Sequence, residues 1–273
     1  MKTKQKIAII SIIISIIVIS SITILNPQLV DRAFYRMGLQ EQICFPVINE
    51  EFQSDNVTNI VAAGDFGINE NSIKTLKNIQ SSNPEVILML GDLGQSTSKE
   101  WIELSEPMDR NKMYIALGDS DLLERNDYLR YSAVTDDYYS FDYQNIHFLA
   151  ISTNEEKNNE LGILSDVIQI DFIKDDLSNA ADDPKTDWIV VFLHHPMYSS
   201  IPNPYSMDLR SLLQPTFDLY GVDLVINGHK HVYERTNPVT FNNTITDNEN
   251  CSYDDPNGQI YLTVGTGGHS HKK

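Results

Sequence analysis

Several carboxylate and imidazole side chains of this 273-residue chain follow glycine-rich or polar turns, and each turn ends an apolar run. In chain order the turns are Gly64-Asp65, Gly91-Asp92, Gly118-Asp119, His194-His195 and Gly228-His229-Lys230-His231. Carboxylate and imidazole together suit hard to borderline divalent cations, and thiolates are absent from these turns. The residue types therefore predict a metal centre.

The apolar runs that precede these turns are rich in β-branched residues, which is typical of buried strands. Segments with helical periodicity separate the runs, so strand and helix alternate. The exception is residues 138–143 and 146–152, which predict an antiparallel hairpin. Parallel strands present ligands at their carboxyl ends. We therefore predict one α/β domain, residues 56–273, with a mixed sheet or sheets.

The amino terminus predicts export of the chain. Residues 1–6 form a basic flank, residues 7–25 are apolar or hydroxyl-bearing, and residues 26–55 resemble a juxtamembrane stem. About 20 apolar residues can span a bilayer as one hydrophobic helix. No small-residue cleavage site ends the stretch, so we favour an uncleaved signal anchor over a cleaved signal peptide. With the lysines inside, the rest of the chain is expected to be extracytoplasmic, either membrane-anchored or secreted.

Charge and cysteine content limit the partners and the redox chemistry. The formal net charge of -18 argues against a nucleic-acid partner, because phosphate contacts need clustered lysine and arginine. Cys44 and Cys251 are the two cysteines, and the sequence leaves a disulfide between them open, since it does not place them within bonding distance.

The order of these motifs resembles the calcineurin-like metallophosphoesterase superfamily, and most closely its purple acid phosphatase branch. Besides the Gly-Asp turns, two stretches carry the resemblance: residues 190–200 (VVFLHHPMYSS) and residues 227–235 (NGHKHVYER). The similarity extends over residues 57–268. It implies a four-layer α/β/β/α sandwich, here preceded by one N-terminal hydrophobic helix. It also implies two divalent metal ions, of Fe, Mn, Zn or Mg, between the strand ends.

The resemblance also implies a role for each candidate residue. The implied ligands are Asp65, Asp92 and His231 for the first metal, and Asp92, Asp119, His194 and His229 for the second. Asp92 matches the carboxylate that bridges the ions, and such a bridge offsets the repulsion between two cations about 3.5–4 Å apart. His195 is interpreted as a pocket-wall group rather than a ligand, and it is the best remaining candidate for a proton donor.

Some positions depart from the pattern of the branch. Gln95 stands where the branch has a tyrosine ligand, and Asp119 replaces an asparagine. Ser120 stands where the family has a histidine that contacts the phosphate or the leaving group. Further histidines of the branch would fall near Asn203 and Pro204. The first site is therefore one ligand short, and the surroundings of the metals are poor in imidazole.

Three other residues with suitable side chains receive structural interpretations. Asp121 is expected to cap the helix that follows it. His269 and His271 follow a glycine-rich turn after the last predicted strand. They could approach the metals from there, but a mobile, solvated tail is the favoured interpretation.

The sequence thus predicts a metal-dependent phosphoric ester hydrolase, an acid-phosphatase-like enzyme that cleaves a small phosphate monoester with metal-activated water. Two alternatives stay open. Ser120, Gln95 and Asn203 favour a catalytically weak or inactive relative that binds metal or phosphate. A phosphodiesterase or nucleotidase would differ only in the walls of its pocket.

Overall fold

The computed structural model describes residues 58–95, 97–132, 134, 136–153, 167–241 and 257–269. The predicted signal anchor and stem, both cysteines and His271 lie outside these residues. Within the described ranges, no helix is long and apolar enough to cross a membrane.

The chain divides into two compact units. The larger, Phe45–Ser199 with Tyr205–Lys273, contains all helices and strands of the described residues. The smaller comprises Met1–Cys44 and Ser200–Pro204, and its described part, Ser200–Pro204, has no helix or strand.

Nine strands of the described residues form two sheets. They are β1 (Ile60–Ala63), β2 (Val86–Met89), β3 (Met113–Ile115), β4 (Tyr139–Tyr143), β5 (Ile146–Ile151), β6 (Trp188–Leu193), β7 (Leu224–Asn227), β8 (Tyr233–Arg235) and β9 (Ile260–Val264). The first sheet is parallel in the order β1-β2-β3, and the second has the order β4-β5-β6-β7-β9-β8. In the second sheet only the edge strands β4 and β8 pair antiparallel. The predicted α/β fold is confirmed, with two sheets.

Five α-helices connect the strands in the described residues. They are α1 (Glu70–Ser81), α2 (Ser98–Ser105), α3 (Arg125–Tyr131), α4 (Val167–Asp182) and α5 (Ser206–Tyr220). Local chemistry fixes their ends: the Asn69 side chain accepts hydrogen bonds from two backbone N–H groups of the first turn of α1. Gly221 ends α5 with a φ of 68°, a left-handed conformation that glycine adopts without steric cost.

Side-chain alternation along the strands separates three hydrophobic clusters. In β2, Ile87 and Met89 belong to the cluster shared with α1, α2 and α3, whereas Val86 and Leu88 belong to a cluster with residues of the second sheet. In β6, Val191 joins the third cluster, shared with α4 and α5. Both faces of each central strand are therefore buried, which explains why these strands are continuously apolar.

Contacts between the sheets set their relative position. The Tyr139 hydroxyl on β4 donates a 3.0 Å hydrogen bond to the carbonyl of Ile115 on β3. Phe141, also on β4, stacks on Tyr114 of β3 with ring centroids 3.5 Å apart. This aromatic contact between the sheets holds the strand ends of one sheet opposite those of the other.

The predicted hairpin is confirmed as β4 and β5, and Gln144 makes the reversal with a φ of 56°. Strand β8 was not predicted. A strand of three residues is too short to show a recognisable sequence pattern. It forms by pairing with the edge of β9.

Candidate metal centre

Six carboxylate and imidazole side chains singled out from the sequence lie at the carboxyl ends of parallel strands from both sheets. Asp65, Asp92 and Asp119 follow β1, β2 and β3 of the first sheet, while His194, His229 and His231 follow β6 and β7 of the second. The turns touch across the gap between the sheets, since the backbone N–H of His229 donates to Asp65 Oδ2 at 2.8 Å.

The turns carry unusual backbone strain. Non-glycine residues with positive φ number six among the described residues, and four belong to this region. Their φ angles are 59° at Asp65, 51° at Asp92, 55° at Gln95 and 65° at His229. Each such residue costs of order 1–3 kcal/mol unless its surroundings require the conformation, and such outliers cluster at functional sites. The strain therefore points to a functional site at these strand ends.

Asp65, Asp92 and His194 form the first donor group, with one ligand atom from each lying within 4.8 Å of the others. Asp92 Oδ1 lies 3.6 Å from His194 Nε2 and accepts hydrogen bonds from Ser120 N and Oγ at 2.9 and 3.0 Å. His231 adjoins this group, because its Nε2 lies 3.4 Å from Asp65 Oδ1. Ser120 thus orients the carboxylate that the sequence marks as the shared ligand.

Asp119, His194, His195 and His229 form a second donor group on the same 4.8 Å criterion, so His194 belongs to both groups. His194 Nδ1 lies 2.7 Å from the Leu90 carbonyl, which can only accept a hydrogen bond. The proton is therefore on Nδ1 and the lone pair is on Nε2, 3.2 Å from His229 Nδ1. Orientation of a ligand histidine by a backbone carbonyl is a common feature of metal sites.

His195 has a partner for each of its ring nitrogens. Its Nε2 lies 3.1 Å from Asp119 Oδ1, and its Nδ1 lies 3.0 Å from Thr153 Oγ1. The Thr153 hydroxyl also accepts the backbone N–H of His195, at 3.2 Å. With the hydroxyl proton donated to Nδ1, the neutral imidazole carries its proton on Nε2 and donates it to Asp119. Thr153, which follows β5, thus sets the tautomer of His195 and, through it, the position of Asp119.

Three members of the second donor group have the protonation states that a cation needs. Burial opposes the charged form of Asp119, but its hydrogen bond with His195 and the nearby histidines outweigh that effect and lower its pKa to about 2. Burial, reinforced by the neighbouring imidazoles His195 and His194, lowers the pKa of His229 to about 2. Burial also lowers the pKa of His195. Near neutral pH Asp119 is therefore anionic and His195 and His229 are neutral, whereas burial of His194 is outweighed by the nearby carboxylates, Asp92 above all, which raise its pKa.

Two buried polar atoms test whether these residues suit a metal ion. Asp65 Oδ1 and His231 Nδ1 have no hydrogen-bond partner within the described part of the chain. An unpartnered buried polar atom costs about 1–3 kcal/mol, and more when it is charged. A divalent ion beside Asp65 would satisfy the carboxylate oxygen, so the donor set fits the metal that the sequence predicts.

Asp121 corrects one interpretation from the sequence. It is fully buried, and its side chain makes no capping hydrogen bond to the helical turn that follows. Its two oxygens instead accept from Leu93 N at 3.0 Å and Gly118 N at 2.9 Å. Burial raises its pKa to about 7 despite these hydrogen bonds. Asp121 therefore ties the turn after β2 to the turn after β3.

His269 corrects a second interpretation, since it is not in a solvated tail. Its backbone N–H donates to the carbonyl of Asp65 at 3.0 Å, and its ring lies 4.3 Å from that of His231. Its Nε2 contacts Gln95 Oε1. Sequence reasoning also missed Thr153, for which the only local signal was its position directly after a predicted strand.

The chain is similar in sequence to known phosphoesterases. Residues 58–233 match the family described as calcineurin-like phosphoesterase. Purple acid phosphatase 23 of Arabidopsis thaliana is 23% identical over a gapped alignment of 293 residues. The alignment covers 88% of this chain and 60% of that protein. Phosphoenolpyruvate phosphatase of Allium cepa is 24% identical over 238 residues, 76% of this chain and 48% of that protein. The chain spans about half the length of these relatives.

Two solved structures share the fold. A purple acid phosphatase from yellow lupin (Lupinus luteus) seeds superposes with a TM-score of 0.62 and 22% identity, over 80% of this chain and 45% of that one. GAP50, described as the anchor in the inner membrane complex of Plasmodium, superposes with a TM-score of 0.56 and 19% identity, over 77% of this chain and 72% of that one. At identities this low, the superpositions show a common fold alone.

Proposed function

This chain belongs to the calcineurin-like phosphoesterase family and has purple acid phosphatases among its relatives, and on that premise we propose that it hydrolyses small phosphate monoesters at a binuclear metal centre. One observation carries the proposal. Two groups of carboxylate and imidazole donors, sharing His194, meet where the strand ends of the two sheets face each other.

The proposed ligands follow the resemblance, in which Asp92 is the shared ligand; His194, the member common to both donor groups, lies with its Nε2 3.6 Å from Asp92 Oδ1. Asp65, Asp92 and His231 would hold the first ion, and Asp92, Asp119, His194 and His229 the second. When bound, two such ions supply a water of lowered pKa and neutralise the charge of the phosphoryl group. The protein holds the ligands ready, because Ser120 fixes Asp92 and the Leu90 carbonyl fixes His194.

His195 is the candidate proton donor to the leaving group, and it is a weak one. Its Nε2–H is directed at Asp119 beside the proposed second ion, and burial lowers the pKa of the imidazole, so the ring is neutral and gives up its proton poorly. Ser120 does not replace this function, because an alkyl hydroxyl is a very weak acid and its oxygen is already bound to Asp92. We therefore expect esters with good leaving groups to be hydrolysed faster than alkyl phosphates.

Hydrolysis by the full chain, purified in detergent and loaded with Mn²⁺, Zn²⁺ or Fe²⁺, tests the proposal. The substrates are p-nitrophenyl phosphate and bis-p-nitrophenyl phosphate, since a phosphodiesterase would prefer the second. Asp92→Asn should abolish turnover. Asp175→Asn is the matched control, because Asp175 is exposed on α4 and its loss changes the net charge equally.

A binding protein without turnover is the second candidate. Gln95 and Ser120 favour it, because they replace a tyrosine ligand and a histidine of the related phosphatases. The fold likeness to GAP50, whose description names an anchor, shows that this fold also occurs in a protein described by such a role. If the metal-saturated chain binds phosphate but cleaves neither ester, this candidate replaces the hydrolase.

We also propose that the centre works outside the cytoplasm, with residues 7–25 as a membrane anchor. The basic flank and the apolar stretch that follows it support this proposal. Protease protection of the chain in sealed cells or vesicles, followed by alkaline extraction of membranes, tests it. Release into the soluble fraction at alkaline pH would favour the cleaved, secreted form.

A further inference from the structure

We propose that His269 is an additional ligand of the first metal and supplies the donor that is missing at Gln95. The proposal rests on the proposed function, because it requires an ion held by Asp65, Asp92 and His231. It concerns a residue that lies beyond the matched stretch 58–233.

The position of the His269 side chain is the first argument. Its ring lies against that of the proposed ligand His231, with centroids 4.3 Å apart and an interplanar angle of 31°. Its Nε2 contacts the amide oxygen of Gln95, the residue at the position of the missing tyrosine. His269 therefore touches both the incomplete position of the first site and one of that site's ligands.

The backbone holds His269 there. His269 N and Gly268 N both donate to the carbonyl of Asp65, at 3.0 and 3.1 Å, and Gly267 N donates to the carbonyl of Gly64 at 2.8 Å. The segment is thus fastened to the residue that carries the buried, unpartnered Oδ1. A histidine in a solvated tail would not be tied to a candidate ligand by its own backbone.

Glycine is required for this attachment. A Cβ on Gly268 would lie 2.4 Å from the carbonyl oxygen of Phe66, and one on Gly267 would lie 2.6 Å from the carbonyl oxygen of Gly64. Both distances are shorter than real Cβ contacts, so any side chain would push the segment away from β1. The glycines after β9 therefore serve a close approach that brings His269 to the first site.

The chemistry of Gln95 completes the argument. Its neutral amide oxygen is a weaker donor to a cation than a phenolate. That oxygen can instead accept the Nε2–H of His269, which leaves the lone pair on Nδ1 and fixes the tautomer, as polar neighbours of ligand histidines do. The first site would then hold its ion with two carboxylates and two imidazoles, a set that suits borderline divalent ions.

Cobalt binding to the full chain in detergent tests the proposal without measuring activity. The metal-free protein is titrated with Co²⁺ against a competing chelator, while visible Co²⁺ absorption reports the ligand environment. We expect His269→Ala to keep one tight ion, to weaken the other by at least about 10-fold, and to change the absorption spectrum. Glu70→Gln is the control, since Glu70 is an exposed acid lining the same approximately 500 Å³ cavity as His269.

A rescue variant separates ligation from a loss of folding. Gln95→Tyr in the His269→Ala background should restore the affinity for the second ion, because it returns a donor to the tyrosine position. Wild-type affinity in His269→Ala, or no recovery in the double variant, overturns the role of His269. If the role of His269 is overturned but Asp92→Ala still loses metal, the proposal of a binuclear centre is retained. If the wild type binds no Co²⁺, both proposals fall.

Discussion

The two sheets contribute different chemistry to the candidate centre. The first supplies carboxylates from three adjacent parallel strands, and the turns of Asp65 and Asp92 are joined by backbone hydrogen bonds such as Asp65 N to Gly91 O at 2.9 Å. The second sheet supplies imidazoles, and these reach across. His194 Nδ1 donates to the Leu90 carbonyl, and His229 N donates to Asp65 Oδ2.

This difference indicates what holds the centre together. Clustered carboxylates repel one another, and the buried Asp65 is unfavourable when charged unless it is compensated. Imidazoles from the second sheet add ligands without adding negative charge. A cation between the sheets would compensate the carboxylates, and each sheet alone has only part of the proposed ligand set. Loss of a carboxylate and loss of an imidazole should then have unequal effects.

The largest expected effect is the difference in metal content between a variant that lacks the shared carboxylate and one that lacks a single imidazole. Asp92→Ala removes the proposed shared ligand and should leave fewer than one divalent ion per chain, with activity at background. His229→Ala removes a ligand of the second ion only and should leave about one ion. Metal analysis after gel filtration, with Asp175→Asn alongside, measures both. Full metal content in Asp92→Ala would contradict the role of Asp92 as a ligand shared by both ions.

The next largest effect is expected from a histidine introduced at position 120, after β3 of the first sheet. Ser120→His should raise the rate on alkyl phosphates by about 100-fold, and that on p-nitrophenyl phosphate much less, because a positioned general acid contributes about 10²–10⁴-fold. The ratio of kcat/KM for the two ester classes is the measurement. Equal rates in the wild type would mean that another residue, His195 above all, already supplies the proton.

A smaller effect is expected at Thr153, which acts through His195 on Asp119. Thr153→Val keeps the shape of the side chain but removes both hydrogen bonds of the hydroxyl to His195. Affinity for the second ion should fall by about 10-fold, the lower end of the range for groups that orient ligands. Chelator competition measures this affinity, and Thr153→Ser should restore it. An unchanged affinity in Thr153→Val would remove Thr153 from the site.

The smallest effect concerns a histidine of the second sheet outside the centre. His147 on β5 lies between Asp142 at 2.7 Å and Asp176 at 2.9 Å. Burial alone would lower its pKa, but the hydrogen bonds and charges of the two aspartates raise it. Its stabilising contribution is therefore complete below its unfolded pKa of about 6.5, and it is lost as the pH rises through the folded pKa.

Urea unfolding of the metal-free chain at pH 6 and pH 9 tests this prediction. The wild type should lose about 1 kcal/mol more stability between the two pH values than His147→Gln, which is the typical net contribution of one hydrogen bond. An identical pH dependence of the two proteins would show that His147 is neutral in the folded state.

The parts of the fold and site that the sequence predicts are those set by local patterns. Apolar β-branched runs give β1, β2 and β6, and a turn directly after each run places Asp65, Asp92 and His194 at a strand end. The parallel arrangement explains why Asp65 and Asp92 meet at one edge of the first sheet. His194 joins them through the packing of the second sheet against the first, which local patterns do not predict.

The residues that the sequence did not predict depend on contacts between distant segments. Thr153 and His195 are 42 residues apart, and Gln95 and His269 are 174 apart. Asp121 stands before a helical turn, as a capping residue would, but Leu93 N, 28 residues earlier, binds its buried carboxylate instead. Local rules gave the common interpretation in each case, and packing at the strand ends selected another.

The metal content of the wild-type chain tests the central claim most directly. The chain is purified in detergent, incubated with Mn²⁺, Zn²⁺ or Fe²⁺, freed of unbound ions and measured by atomic emission against its protein concentration. We expect close to two ions per chain for at least one metal. A folded chain that retains none of these metals would contradict a centre assembled from the carboxylates of one sheet and the imidazoles of the other.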